Sequence, residues 1–416
     1  MDKKLVMELA VRNNLLMQTK IESIRLKNFK AFKDATMRDM PALCVIVGAN
    51  GSGKTTLFDV FGFLRDSMTE NVQVALSRRG GFKEFKTRDA EGPIEIELKF
   101  RFSSTTQSGS KMPLATYTLA VNERDGKAVV EREELKYRRG RYGQPWRFLS
   151  FAFGKGEAVT NEFAEVEDER DLERDEHTLA SPNILAIKGL GQFQQYPVVM
   201  ALGQMIENWH VSDFHINSAQ SQPDAGYAEH LSSQGENLAL VTQFLHEHHR
   251  DIFDQILQKL AERVPGISKV EAKTSEEGRV LLKFKDGAFK DPFLSRYVSD
   301  GTIKMFAYLL LLYDPAPHPL LCVEEPENQL YPTLLYALAE EFEHYATQGG
   351  QVLVSTHSPD FLNAVDIESV FWLVKEKGFT QIKRAKDDKQ ICKFMADGDK
   401  MGYLWKQGFF EGANPL

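Results

Sequence analysis

The 416-residue sequence has few cysteines, no long apolar run and no excess of positive charge. Its three cysteines, Cys44, Cys322 and Cys392, stand far apart and form no metal-binding or redox pair, which is typical of a reducing compartment. No stretch reaches the roughly 18 uninterrupted apolar residues that a membrane span requires. With 59 acidic and 51 basic residues the net charge is -8, so no general cationic field favours nucleic acid or an anionic membrane. We therefore expect a cytoplasmic protein without membrane contact.

Apolar and charged residues are present in ordinary amounts, 42% and 26%, which suits a globular chain of two or three subdomains. Alternation at residues 21–29 and an apolar run at 43–47 predict strands, and helical spacing after the following glycine loop predicts a helix. Residues 94–153 have the pattern of an antiparallel sheet. The acid-rich segment 162–177 is expected to be a solvated loop or frayed helix, with a metal-binding acidic cluster as the alternative.

The strongest motif is Gly48–Thr55, which fits G-x-x-x-x-G-K-[ST] between a predicted strand and a predicted helix. Glycines turn backbone N–H groups toward phosphates, the helix start adds positive potential, and Lys54 neutralises the β- and γ-phosphates. Thr55 is expected to place its hydroxyl on Mg²⁺. The predicted ATP-binding residues here are Asn50, Gly51, Ser52, Gly53, Lys54, Thr55 and Thr56. A chance glycine-rich turn is the alternative interpretation.

A second motif is an apolar run, residues 320–323, that ends in Glu324 and Glu325. Carboxylates at the end of a buried parallel strand suit a Mg-nucleotide site. Glu324 is expected to coordinate the metal ion, and Glu325 is expected to polarise the attacking water. The commoner ending is Asp-Glu, and a merely solvent-facing pair of carboxylates is the alternative.

Two further motifs lie on either side of the glutamate pair in the sequence. Ser299 and Gly301 stand at the start of a predicted helix, where backbone N–H groups can bind an anion, although a plain helix N-cap is an equal explanation. His357 ends a predicted strand at 352–355, where a lone histidine is more often structural.

The order of phosphate loop, serine-glycine helix start, strand with two glutamates and strand with histidine resembles the ABC-type ATPase head. The resemblance implies that Ser299 and Gly301 contact the γ-phosphate bound by a second copy, whereas His357 acts within its own chain. It therefore implies a homodimer around ATP and Mg²⁺, or a higher oligomer built from such dimers. The wide separation of Lys54 from Glu325 argues against a transporter cassette.

A narrower resemblance is to the RecF, SMC and OLD-like branch, carried by IRLKNFKAF at 24–32. The sequences S-D-G-T at 299–302, E-E-P-E-N-x-L-x-P at 324–332 and T-H-S-P at 356–359 resemble bacterial ATPases that are often encoded beside a phage-defence effector. This resemblance implies a separate effector protein from a neighbouring gene, a nuclease or a toxin. The short stretch after His357 leads us to expect that any nuclease is a separate polypeptide.

These motifs predict an α/β fold: a P-loop ABC-type ATPase head with a mixed sheet, an antiparallel β lobe and an inserted helical subdomain. The predicted division is an N-terminal helix at 1–18, head at 19–104, β-rich and acidic insertion at 105–181, helical subdomain at 182–268, head at 269–376 and a packed tail at 377–416.

The candidate DNA contacts are Arg138, Arg139 and Arg141, in a segment that mixes cations with aromatic rings. A hairpin turn with solvated arginines is equally compatible. Two functions therefore stay open: an ATPase that regulates a defence effector, and a RecF-like DNA clamp. A nucleotide-binding protein with negligible turnover is a third. A further hypothesis is that the nucleotide contacts Phe29, Phe32 and Arg79.

Overall fold

The computed structural model describes residues 18–103, 114–138, 144–162 and 166–414. Residues 1–17 of the predicted N-terminal helix lie outside the described residues, and residue 18 begins the first strand. The described chain forms three sheets flanked by helices, and the predicted α/β fold class is confirmed.

The first sheet has eight strands, all antiparallel to their neighbours. In chain order the strands are β1 (Gln18–Phe29), β2 (Phe32–Arg38), β4 (Ile94–Ser103), β5 (Leu114–Arg124), β6 (Lys127–Tyr137), β7 (Trp146–Ala152), β8 (Lys155–Val159) and β9 (Arg174–Thr178). Their spatial order is β2-β1-β4-β5-β6-β7-β8-β9. The antiparallel lobe predicted at 94–153 is therefore present, and it continues into the N-terminal strand pair.

The second sheet has six strands and carries the motifs. Its strands are β3 (Leu43–Gly48), β10 (His210–Ser212), β14 (Leu320–Glu324), β15 (Gln351–Ser355), β16 (Val370–Glu376) and β17 (Phe379–Arg384). The order is β10-β14-β15-β3-β16-β17, parallel except for β17. Strand β3 is buried along its whole length, as expected for a parallel strand covered on both faces. A third sheet contains β11 (Ile267–Thr274), β12 (Val280–Asp286) and β13 (Phe293–Leu294).

Alternate residues of β3 enter two different cores. Cys44 and Ile46 join a core shared with the eight-stranded sheet, whereas Val45 and Val47 join a core on the opposite face. Successive side chains of a strand point to opposite faces, so one strand fixes both layers. The loop that follows β3 is thereby held between two packed cores.

The helices cover both faces of the parallel sheet. They are α1 (Lys54–Thr69), α2 (Val72–Ser77), α3 (Phe82–Phe85), α4 (Ala186–Leu190), α5 (Pro197–Glu207), α6 (Ile216–Ala219), α7 (Leu238–His248), α8 (Arg250–Arg263), α9 (Asp300–Leu312), α10 (Pro332–Thr347), α11 (Pro359–Leu362), α12 (Lys389–Ala396) and α13 (Met401–Lys406). Helix α1 packs against α2 and α5 on one face. Among the described helices, none combines the length and the apolar character needed to cross a bilayer.

The structure differs from the sequence prediction in the acid-rich segment. Glu162 is only 2% exposed and accepts a hydrogen bond from the Val198 backbone at 3.0 Å. Burial raises the pKa of Glu162 to about 8, so the side chain is compatible with the interior as the neutral acid. Farther along, 174–178 form the edge strand β9 rather than a loop or helix. Tertiary packing thus overrides the local excess of acidic residues.

Two ranges predicted as separate units also contribute to the parallel sheet. The range 182–268 contains β10, which pairs in parallel with β14. The range 377–416 begins with β17 and ends in a segment where Trp405 is buried and donates to the Ala413 carbonyl at 2.6 Å. The division into domains otherwise stays a prediction.

Candidate nucleotide site

The phosphate loop joins β3 to α1, as its sequence predicts. Gly53 precedes the helix with φ of 107°, and a Cβ there would lie 2.9 Å from Thr380 Oγ1. Only glycine suits both conditions. The Thr380 hydroxyl also donates to the Ser52 carbonyl at 2.7 Å, so β17 supports the loop from behind.

The Lys54 ammonium lies inside the loop. It donates to the Gly48 carbonyl at 2.9 Å and to the Ala49 carbonyl at 3.3 Å. Burial lowers the pKa of Lys54, and the nearby carboxylates of Glu325 and Glu327 oppose that effect. A cation that is partly desolvated and surrounded by loop carbonyls is well placed to exchange these contacts for phosphate oxygens.

Thr55 meets the end of β14 directly. Its hydroxyl donates to Glu324 Oε2 at 2.8 Å. Burial raises the pKa of Glu324, and the Thr55 hydrogen bond opposes the shift. A hydroxyl and a carboxylate are the oxygen ligands that Mg²⁺ prefers in nucleotide sites, so this pair fits the ion.

Glu325 and His357 line the same cleft as the phosphate loop. His357 Nε2 is 3.5 Å from Glu325 Oε1, and Asn328 Nδ2 donates to Glu325 Oε2 at 3.0 Å. Glu325 has φ of 45°, a left-handed conformation that costs an ordinary residue about 1 kcal/mol or more. Burial lowers the pKa of His357, which favours the neutral imidazole.

A hydrogen-bonded chain connects this carboxylate to helix α9. The buried Lys304 donates from Nζ to the Asn328 carbonyl at 2.7 Å. Burial lowers the pKa of Lys304 to about 8, while Glu327 and Glu325 oppose the shift. Glu327 in turn accepts the backbone N–H of His357. Sequence reasoning missed Lys304 and Asn328, although Asn328 is part of the E-E-P-E-N motif.

The phosphate loop, Glu325 and His357 line one cleft of about 470 Å³. Its lining residues are Lys30, Ala31, Asn50, Gly51, Gly53, Lys54, Thr55, Thr56, Glu84, Lys86, Arg88, Glu325, His357 and Lys375. The Ser52 side chain, which belongs to the loop, is buried. Glu324 is connected to the cleft by its hydrogen bond to Thr55. The structure therefore brings the phosphate-loop residues together with both glutamates and the histidine.

The cleft also contains cations that the sequence prediction did not include: Lys30, Lys86, Arg88 and Lys375. By contrast, Phe29 and Phe32 are fully buried and Arg79 forms an ion pair with Asp66 at 2.6 Å. None of these three residues is among those that line the cleft, and their contact with the nucleotide stays a hypothesis. Lys30 lies in the turn within IRLKNFKAF at 24–32. This motif is the one sequence signal that pointed toward the cationic side of the cleft.

Ser299 and Gly301 stand apart from this cleft. Ser299 is the N-cap of α9, and its hydroxyl accepts the Thr302 backbone N–H at 3.3 Å. A Cβ at Gly301 would lie 3.0 Å from the Gln329 carbonyl, so glycine is also required by packing within the chain. Neither residue is among those that line the described cleft.

The structure limits the predicted DNA contacts. Arg138 is exposed at the end of β6, whereas Arg139 and Arg141 lie outside the described residues. Tyr137 is buried and its ring stacks on Phe148 with centroids 3.7 Å apart, so it is unavailable for base stacking.

The phosphate loop, the parallel sheet and the paired glutamates are together typical of P-loop nucleotide-binding proteins. Residues 20–261 match the family described as "AAA ATPase domain". Because this match covers more than half of the 416 residues, the chain belongs to that family. Residues 200–363 match a second family, described as "AAA domain, putative AbiEii toxin, Type IV TA system". None of the curated proteins matches the chain.

Two solved SMC heads have a similar fold. One, an SmcHead bound to the C-winged helix domain of ScpA, matches 87% of this chain and 96% of its own, with 14% identity and a TM-score of 0.52. The other is an Smc head with an extended coiled coil bound to the C-terminal domain of ScpA, derived from Pyrococcus furiosus. It matches 91% of this chain and 100% of its own, with 13% identity and a TM-score of 0.51. The chain thus has the SMC-head form of the ABC-type fold.

Proposed function

We propose that the protein binds ATP with Mg²⁺ in the cleft and hydrolyses it to ADP and phosphate. Lys54 and the loop N–H groups hold the phosphates, and Thr55 and Glu324 hold the ion. Glu325 orients and activates the attacking water, with His357 beside the γ-phosphate. Mg²⁺ supplies charge neutralisation on the phosphate oxygens when it is bound.

The observation that carries this proposal is the convergence of distant residues on one cleft. Thr55 and Glu324 are hydrogen bonded at 2.8 Å, and Glu325 and His357 face the same opening. A hydroxyl, two carboxylates, an ammonium and an imidazole in this arrangement match the needs of phosphoryl transfer to water. The family description, an AAA ATPase domain, supports the same activity.

The proposal is tested by separating binding from turnover. Glu325→Gln is expected to keep ATP binding and to slow hydrolysis by about 100-fold or more, because water activation is lost while phosphate contacts remain. Lys54→Ala is expected to abolish ATP binding, as measured by calorimetry. Glu343→Gln, at an exposed position of α10, serves as the matched control. Normal hydrolysis by Glu325→Gln would show that Glu325 is not the base.

We further propose that two copies close around the nucleotide. The support is that Ser299 and Gly301 begin a helix outside the cleft, so within one chain they do not reach the phosphate loop site. A helix start offers backbone N–H groups to an anion supplied by a second copy. The ATP-bound state is then a homodimer, which can assemble into a higher oligomer.

We propose that this ATPase regulates a separate effector, a nuclease or toxin encoded beside it, in bacterial anti-phage defence. The OLD-like motifs support this role, as does the match of 200–363 to a family named for the AbiEii toxin of a type IV toxin–antitoxin system. Isolating the protein with the product of its chromosomal neighbour tests the role. A nuclease or toxin that co-elutes stoichiometrically is the expected result.

The SMC-head fold and the exposed Arg138 favour a second candidate, a DNA-binding repair or chromosome-maintenance ATPase. This candidate predicts ATP-dependent binding to duplex DNA that weakens with salt and is lost when Arg138, Arg139 and Arg141 are all changed to Ala. DNA binding with these properties and no co-eluting effector would replace the defence proposal.

A further inference from the structure

Three imidazoles and one carboxylate lie together at the amino-terminal edge of the parallel sheet. The residues are His210 in β10, His230 before α7, Asp314 just after α9 and His318 just before β14. The strand β14 separates this group from Glu324 by about five residues, or roughly 15 Å. The group is therefore distinct from the nucleotide cleft.

The spacing of three of these residues suits a single metal ion. Nitrogen or oxygen atoms of His230, Asp314 and His318 all lie within 4.8 Å of one another. The ring centroid of His318 is 5.0 Å from that of His210 and 5.6 Å from that of His230. Two imidazoles on a tetrahedral Zn²⁺ with Zn–N bonds of about 2 Å have centroids about 5 Å apart.

The hydrogen bonds orient the rings as metal ligands. His318 Nδ1 is 2.9 Å from the Asn208 carbonyl, so Nδ1 carries the proton and Nε2 offers a lone pair. Metal-binding histidines usually donate their second nitrogen to a carbonyl in this way. In the described part of the chain, Nε2 of His318 and Nε2 of His210 are both buried without a hydrogen-bond partner. Native proteins rarely leave such atoms unpaired.

Asp314 supplies the negative charge. It is 8% exposed, its Oδ1 accepts the Ala316 backbone N–H, and its Oδ2 is 2.8 Å from His230 Nδ1. Neighbouring ligands on a tetrahedral Zn²⁺ are about 3.3 Å apart, so a small outward movement admits an ion between these atoms. Because His230 is exposed, the ion has a path from solvent.

We propose that His230, Asp314 and His318 form a zinc site that binds one Zn²⁺ per chain, with the buried His210 ring packed against His318. The ion joins the end of α9 to the start of β14, and so connects the helix that begins near Ser299 with the strand that ends at Glu324. These three residues leave a fourth position, which a water molecule can occupy.

The test measures zinc on the full chain. Protein stripped with a chelator and dialysed is titrated with Zn²⁺ by calorimetry, and with Co²⁺ to follow the visible absorption of a four-coordinate ion. We expect one site per chain, and a loss of affinity of about 100-fold or more in the double variant His230→Asn, His318→Asn. The double variant His246→Asn, His248→Asn removes two exposed histidines of α7 and should bind like the unaltered chain.

Each outcome decides the proposal. One site that is lost only in the first double variant supports it, as does a melting temperature raised by Zn²⁺ in the unaltered chain alone. Equal binding by both double variants, or no binding by the unaltered chain, overturns the proposal. The residues would then form only a hydrogen-bonded polar cluster. If the first double variant does not fold, His230→Asn alone replaces it, because that position is exposed.

Discussion

At the scale of single residues, the glutamate pair at the end of β14 carries the most information. The sequence has Glu324 where Asp is commoner, and the side chain of Glu is longer than that of Asp by one methylene group. Its Oε2 lies 2.8 Å from the Thr55 hydroxyl, which itself follows Lys54 at the start of α1. The longer side chain is therefore compatible with the geometry of a Mg-nucleotide site.

Asn328 is expected to position Glu325. Because Asn328 Nδ2 donates to Glu325 Oε2 at 3.0 Å, Asn328→Ala should leave the carboxylate less well oriented. We expect kcat for ATP hydrolysis to fall by about tenfold while the Kd for ATP changes little. Steady-state kinetics and calorimetry measure the two quantities.

The control for this prediction is Asn122→Ala, which removes a similar amide-to-carboxylate hydrogen bond, to Glu131 at 2.7 Å, in the eight-stranded sheet. Unchanged kcat in Asn328→Ala, or an equal loss in both variants, would mean that Asn328 does not act through Glu325.

At the scale of secondary-structure elements, the site depends on how β17 and α9 meet the motifs. Strand β17 places the Thr380 hydroxyl 2.7 Å from the Ser52 carbonyl, behind the phosphate loop. Helix α9 places Lys304 2.7 Å from the Asn328 carbonyl, next to Glu325. A movement of α9 would therefore displace Asn328 and, through it, the Glu325 carboxylate. These contacts offer a physical route by which the Ser299 end of the helix can influence hydrolysis.

Thr380→Val is expected to weaken ATP binding. The change keeps the shape of the side chain and removes the hydroxyl, leaving the Ser52 carbonyl without this donor. The loss of about 1 kcal/mol corresponds to a Kd for ATP about fivefold higher. Calorimetry with Thr380→Ser as the control, which keeps the hydroxyl, measures the effect; the same Kd for both variants would exclude a role for this hydrogen bond.

At the scale of the whole molecule, the main question is how one chain completes its site. The cleft is open to solvent, and Ser299 and Gly301, which are not among its lining residues, begin a helix elsewhere on the surface. In the proposed homodimer each copy supplies what the other lacks. The nucleotide state then controls the distance between two heads, and through it any bound effector or DNA.

Ser299→Arg is expected to abolish the ATP-dependent dimer. A large cation at the start of α9 blocks the close approach of the second copy's phosphates to the backbone N–H groups. The variant is made together with Glu325→Gln, so that ATP is not consumed, and the mass is measured by light scattering. Gln258→Arg, at an exposed position of α8, is the control. A dimer that persists in Ser299→Arg would contradict the proposed contact.

The sequence alone determined the phosphate loop, the paired glutamates and the α/β class, because each depends on neighbouring residues or on a local period of hydrophobicity. Gly48–Thr55 needs only a strand before it and a helix after it. The assignment of Glu324 and Glu325 follows equally from an apolar run and its ending. Local chemistry was sufficient for these features.

Only the tertiary structure decided which distant residues meet. The strand β10 has three residues, too few for any period to be recognised, and its place is set by pairing with β14. The burial of Glu162, the support of Ser52 by Thr380 and the histidine group around Asp314 all join segments far apart in the chain. No local pattern encodes such contacts, because packing of the two cores, and not the spacing of residues in the sequence, brings them together.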